Sequence, residues 1–124
     1  MITLGALIFY FLVFSGLLFD SKFKNYETAH LEISIGDHRR AFEGEVVEGM
    51  TVLEAIQASA LAGNIALNYT MDKNNEPVVI SLDGYDNSKS KKILSFYVND
   101  QKIDSKKIHL TSIADGDTIV IKSE

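Results

Sequence analysis

The stretch SFYVNDQKID, residues 95–104, brings a phenol, a carboxamide and a carboxylate close together as Tyr97, Asn99 and Asp100. In an extended chain Tyr97 and Asn99 share one side, away from Leu94, Phe96 and Val98. Such a set can contact a partner, since Tyr suits surface recognition. It can also shape a tight turn, because Asn and Asp tolerate the left-handed backbone that hairpins require. Asn99-Asp100 reads mainly as the turn. No turn requires Tyr97, so the residues expected to carry any binding are Tyr85 and Tyr97 with Asn99.

Other polar groupings offer less chemistry. Asp72, Asn74, Glu76 and Asp83 occupy positions 1, 3, 5 and 12 of a Ca²⁺-loop spacing. Pro77 stands where such a loop needs Gly, and Val78 to Leu82 read as a strand, which cannot fold back around an ion. No metal site is therefore expected. The chain has no cysteine, and His30, His38 and His109 are dispersed without metal-ligand spacing. Ser95 lacks a nucleophile-elbow motif. Asp115 and Asp117, flanking Gly116, suit the capping of backbone amides better than proton transfer. No catalytic residue is assigned, and an enzyme is not expected.

Charge narrows the partners. The net charge is −5, which disfavours nucleic acid, whose phosphates call for a basic stripe. One window runs the other way, with Lys89, Lys91, Lys92, Lys102, Lys106 and Lys107 offset by Asp100 and Asp104. It reads as solvated loops flanking a strand, or as a face for anionic lipid headgroups or an anionic ligand.

The elements that must position these residues follow an uncharged run, residues 2–19, ITLGALIFYFLVFSGLLF. At about 1.5 Å per residue it makes a helix of roughly 27 Å, enough to cross a hydrocarbon core. Nothing basic precedes it and no small-residue cleavage tripeptide follows, so a retained anchor is favoured over a removed signal peptide. Residues 20–29 read as a linker and 30–124 as the folded domain. In the domain, HLEISIG alternates with period two, GDHRR reads as a turn, and AFEGEVVEG reads as a second strand. Thr51 and Glu54 form a capping-box pattern ahead of a helix over 52–62, with Gly63-Asn64 as its stop. Ala58, Ala60 and Ala62 are expected to let that helix approach a sheet closely. Residues 64–76 hold a short strand before a polar loop, and VVISLDG, ILSFYVND and DTIVIK supply three further strands. The order is α+β, with one helix crossing a mixed sheet.

VVISLDGYD, ILSFYVNDQKID, LTSIADGDTIVIK and the helix start TVLEAIQAS together resemble the β-grasp (ubiquitin-like) family of the transcobalamin and intrinsic factor C-terminal domain. Y-V-N-D stands here where that family has Y-V-N-G, and Ser95-Phe96 replaces its Trp. The resemblance covers residues 30–122 and implies a β-grasp domain displayed outside the cytoplasm, against the weak positive-inside signal of Lys22 and Lys24. In the vitamin carriers this domain caps cobalamin held by a separate helical domain, which is absent from this chain. The expectation is a single-pass, membrane-tethered binding module without catalysis, its partner a protein or small ligand. The alternatives are a domain that binds or caps a cobalamin-like cofactor, and a structural subunit of a membrane complex.

Overall fold

In the computed structural model, residues 27–124 are described, together with Tyr10 and Phe11. Those two form strand β1 (Tyr10–Phe11), antiparallel to β3. The helix expected over 2–19 otherwise lies outside the described residues, as does most of the linker. Among the described residues no helix is long and apolar enough to cross a membrane.

Period-two alternation produces a hairpin, β2 (Thr28–Ile35) and β3 (His38–Glu45). Its turn is Gly36-Asp37 alone, where five residues were expected, because Arg39 and Arg40 join the ladder opposite Ser34 and Ile33. Strand β2 also starts two residues inside the expected linker. The Thr28 N–H donates to Asp115 Oδ1 at 2.8 Å, and the Val46 N–H reaches back to the Glu27 carbonyl at 2.8 Å.

Helix α1 (Val52–Gly63) opens on the capping box. The Glu54 N–H donates to Thr51 Oγ1 at 3.3 Å and the Thr51 N–H to Glu54 Oε1 at 2.9 Å. The next free donors, Val52 N–H and Leu53 N–H, are taken by the carbonyls of Thr111 and Ile108, so this helix end is closed by the chain itself. Asn64 at φ 55° stops the helix in the left-handed region. The small residues turned inward are Ala55, Ala58, Ser59 and Ala60. Ala62, expected among them, is exposed because it falls on the outer side of the last turn.

Beyond α1 come β4 (Leu67–Met71), β5 (Pro77–Leu82), β6 (Tyr85–Asp86), β7 (Leu94–Val98), β8 (Gln101–Ile103), a 3-10 turn (Ser105–Lys107) and β9 (Thr118–Ser123). The main sheet has the order β1-β3-β2-β9-β7-β8, with β2 and β9 parallel and its other pairs antiparallel. VVISLDG was expected as a strand of the mixed sheet, but β5 belongs to a separate sheet, β4-β5-β6. Its neighbour is β4, joined to it by the 72–76 loop, and this local pairing forms without any long crossover.

Leu31, Ile33, Phe42, Phe96, Ile119 and Ile121 on the main sheet are buried with Val52 and Ile56 of α1 and Leu82 of the second sheet. Each such side chain contributes on the order of 1.5–3 kcal/mol of burial. Two polar links join the sheets. Arg40 on β3 pairs with both carboxylate oxygens of Asp83, at 2.6 and 3.3 Å. Asn87 donates to the Val79 carbonyl at 3.2 Å and accepts from the Leu94 N–H at 2.8 Å, bridging β5 to β7.

Gly63 lets α1 pack closely against Phe42 of β3. A Cβ there would meet the Phe42 ring at 2.7 Å, and Phe42 is fully buried. Ala is worth about 1 kcal/mol over Gly in a helix, but displacing a packed ring costs about 1–3 kcal/mol. Gly63→Ala is therefore expected to lower stability by about 1 kcal/mol in urea unfolding, where helix propensity alone would raise it.

Candidate functional site

Helix α1 and the core occupy one face of the main sheet, so the alternate residues of each strand point the other way. Among the described residues this face carries Glu32 and Ser34 from β2, Val120 and Lys122 from β9, Ser95 and Tyr97 from β7 and Lys102 from β8, with Ser95 buried and most of the others half-buried. Glu32, Val120, Tyr97 and Lys102 lie in one row across four strands.

Tyr97 is the best-held group in that row. Its hydroxyl donates to Glu124 Oε1, and the Lys122 ammonium lies 4.6 Å from its ring centre, a cation–π distance. Lys102 stands 3.7 Å from Glu124 Oε1 and Lys122 4.0 Å from Oε2. The hydrogen bond from Tyr97 lowers the Glu124 pKa, helped by Lys122 and Lys102 against desolvation. The same bond raises the Tyr97 pKa, together with desolvation and the Glu124 charge. The phenol is thus fixed in orientation while its ring stays partly open to solvent.

Asn99 does different work. It sits at φ 51° and Asp100 at φ 70°, both left-handed, as a two-residue type I′ hairpin requires. Its side chain donates to Asp117 Oδ1 at 2.8 Å and accepts from the Thr118 N–H at 2.9 Å. Asp117 in turn accepts from the Ala114 N–H at 2.7 Å. Asn99 therefore fastens the β7–β8 turn to the start of β9, and both carboxylates of Asp115-Gly116-Asp117 hold backbone amides.

Tyr85 belongs to the second sheet, whereas Tyr97 is on β7 of the main sheet and Asn99 is in the turn that follows it. Its hydroxyl donates to the Lys92 carbonyl, and its ring lines an open groove of about 540 Å³ with Ile35, the Gly36-Asp37 turn, His38 and residues 90–92. The six lysines divide among three places. Lys89, Lys91 and Lys92 are on the loop beside this groove, with Lys89 3.9 Å from Asp86. Lys102 belongs to the Tyr97 row. Lys106 and Lys107 are in the 3-10 turn, Lys107 3.5 Å from Glu76.

The Ca²⁺-spaced residues are drawn apart. Asp72 Oδ1 accepts the N–H groups of Asn74 and Glu76, Glu76 meets Lys107, and Asp83 holds Arg40. Among the described residues no group of three or more His, Asp or Glu is placed to hold a metal ion.

Sequence reasoning passed over Glu124, Lys122, Arg40 and Asn87. Lys122 was legible, since it alternates with Ile119 and Ile121. Glu124 was not, because its partner Tyr97 lies 27 positions away.

No family model and no curated protein matches the chain. Among solved structures, one described as "a putative metal binding protein from Ruminococcus gnavus" superposes with a TM-score of 0.62 at 11% identity. The match covers 79% of this chain and 96% of that one. The likeness is one of fold.

Two outcomes follow from the bonds of Asn99 and Glu124. Asn99→Gly keeps the left-handed backbone while Asn99→Ala loses both it and the side-chain bonds. The Ala variant should cost about 1–2 kcal/mol and the Gly variant less, as read by thermal melting. A depressed Glu124 pKa means stability that is complete above the ordinary glutamate value and is lost as pH falls through the lowered one. In Tyr97→Phe the Glu124 carboxyl carbon should titrate at higher pH than in the wild type, as followed by NMR. An unchanged titration would separate Glu124 from the phenol.

Proposed function

We propose that this chain is a membrane-tethered β-grasp recognition module, related to the transcobalamin and intrinsic factor C-terminal-like domains, whose open sheet face meets a protein partner. The observation that carries the reading is Tyr97, clamped by Glu124 and Lys122 on β7, one strand in from the β8 edge of that face. A phenol whose rotamer is already fixed loses little entropy on contact. The β-grasp assignment is supported by the strand order β3-β2-β9-β7-β8, with a central parallel pair and one helix following the first hairpin. The tether rests on the uncharged composition of residues 2–19 and stands against the pairing of Tyr10–Phe11 with β3, and the extracytoplasmic side rests on the family resemblance.

Catalysis forms no part of this reading, which rests on surface contact alone. Metal binding, the property in the description of the Ruminococcus gnavus protein, is not carried over either. Asp72, Glu76 and Asp83 each serve a separate loop or ion pair.

The chain lacks cysteine, so one introduced at Lys102 gives a single-site reporter on the proposed face. In intact cells, the full-length variant should react with a membrane-impermeant maleimide. A photo-crosslinker at the same position should give a discrete adduct whose yield falls at least about fivefold in Tyr97→Ala, compared at a temperature where both proteins are folded. Adducts formed instead from Ile80, on the outer side of the second sheet, would move the recognition surface there and overturn the assignment to Tyr97.

A further inference from the structure

The groove beside Tyr85 is separate from the Tyr97 row, and its chemistry points to a different ligand. Along the loop from Asn87 to Leu94, most backbone donors are used. Asn87 N–H bonds the Ile80 carbonyl, Ser88 N–H the Asp86 carboxylate, Lys89 N–H the Asp86 carbonyl, Ile93 N–H the Glu124 carbonyl and Leu94 N–H the Asn87 side chain. The N–H groups of Ser90, Lys91 and Lys92 have no acceptor among the described residues. These are the three loop residues that line the groove. Neither Lys91 nor Lys92 has a carboxylate within ion-pair distance among the described residues, whereas Lys89 beside them is paired with Asp86. Asp37 is the one carboxylate on the lining, so the groove is net positive on a chain whose net charge is −5.

We infer that this groove binds a phosphate-bearing ligand. Unbonded N–H groups and unpaired ammonium groups on one lining can both donate to ionised oxygens, and such charge-assisted hydrogen bonds are the stronger kind. The hydrogen bond from Tyr85 to the Lys92 carbonyl anchors the loop at the groove wall, holding these donors in place before any ligand arrives. Ile35 and the Tyr85 ring add an apolar surface against which the organic part of the ligand rests. A lipid headgroup and a soluble phosphorylated molecule share this chemistry. The inference does not depend on Tyr97 or on the protein partner proposed above.

The test uses the full-length chain in a neutral detergent, titrated with pyrophosphate and followed through backbone amide shifts. Saturable shifts confined to residues 36–37 and 90–92 are expected, with a dissociation constant on the order of 1 mM or tighter. Lys91→Gln with Lys92→Gln should weaken binding at least tenfold, while Lys106→Gln with Lys107→Gln, equal in charge change, should leave it unaltered. A parallel arm measures flotation of the chain, its residues 2–9 and 12–19 replaced by polar residues and β1 kept, with vesicles of phosphatidylcholine and of phosphatidylcholine containing phosphatidylglycerol. Flotation that needs both phosphatidylglycerol and Lys91/Lys92 assigns the groove to lipid headgroups. Pyrophosphate saturation without flotation assigns it to soluble phosphorylated ligands. Binding in neither arm, or equal weakening by the two lysine pairs, overturns the proposal.

Discussion

The parallel pairing of β2 with β9 is the contact on which the rest of this domain depends. It sets Leu31 beside Ile119 and Ile33 beside Ile121, all four fully buried. The two strands are separated by most of the chain, so their pairing carries a large loop-closure cost, offset by burial at the centre of the sheet. Everything outside it is positioned by it. Strand β7 adds to the far edge of β9 and brings Tyr97 level with Val120, and α1 closes over the shared apolar face. The start of β9 is secured twice, by Asn99 against Thr118 and by Asp115 against Thr28.

Much of this was legible in the residues because burying one face of a sheet imposes a period of two. Leu31 and Ile33, Leu94 and Phe96, and Ile119 and Ile121 announce their strands and their inward side. The capping box of Thr51 and Glu54 announces α1 just as plainly, since its two hydrogen bonds are local. Asn99-Asp100 was readable as a turn for the same reason. What alternation cannot tell is which sheet a strand joins. Pro77 and Val79 are buried in the same rhythm, yet β5 pairs with β4 and β6 in a sheet of its own. Arg39 and Arg40 looked like turn residues because their charge hid their place in a ladder.

The candidate site was legible in its parts but not in its assembly. Tyr97 was identifiable by its face of the strand, but the grip of Glu124 and Lys122 depends on contacts between distant positions. Tyr85 and Tyr97, grouped by residue type, fall on different sheets. The six lysines, a single cluster along the chain, become three settings with different partners. Sequence proximity overstated their unity because hairpins and loops carry neighbouring residues to separate surfaces.

The seating of Thr28 has a mechanical meaning. Strand β2 begins as soon as the chain leaves Glu27, fixed at once by Asp115 and by the Glu27–Val46 bond, and it is flanked on both sides, by β3 and β9. A pull applied at Glu27 therefore loads two ladders along their length. Such loading strains many hydrogen bonds together, whereas peeling an edge strand breaks them one at a time. The start of β2 is thus the part of the sheet best built to bear tension.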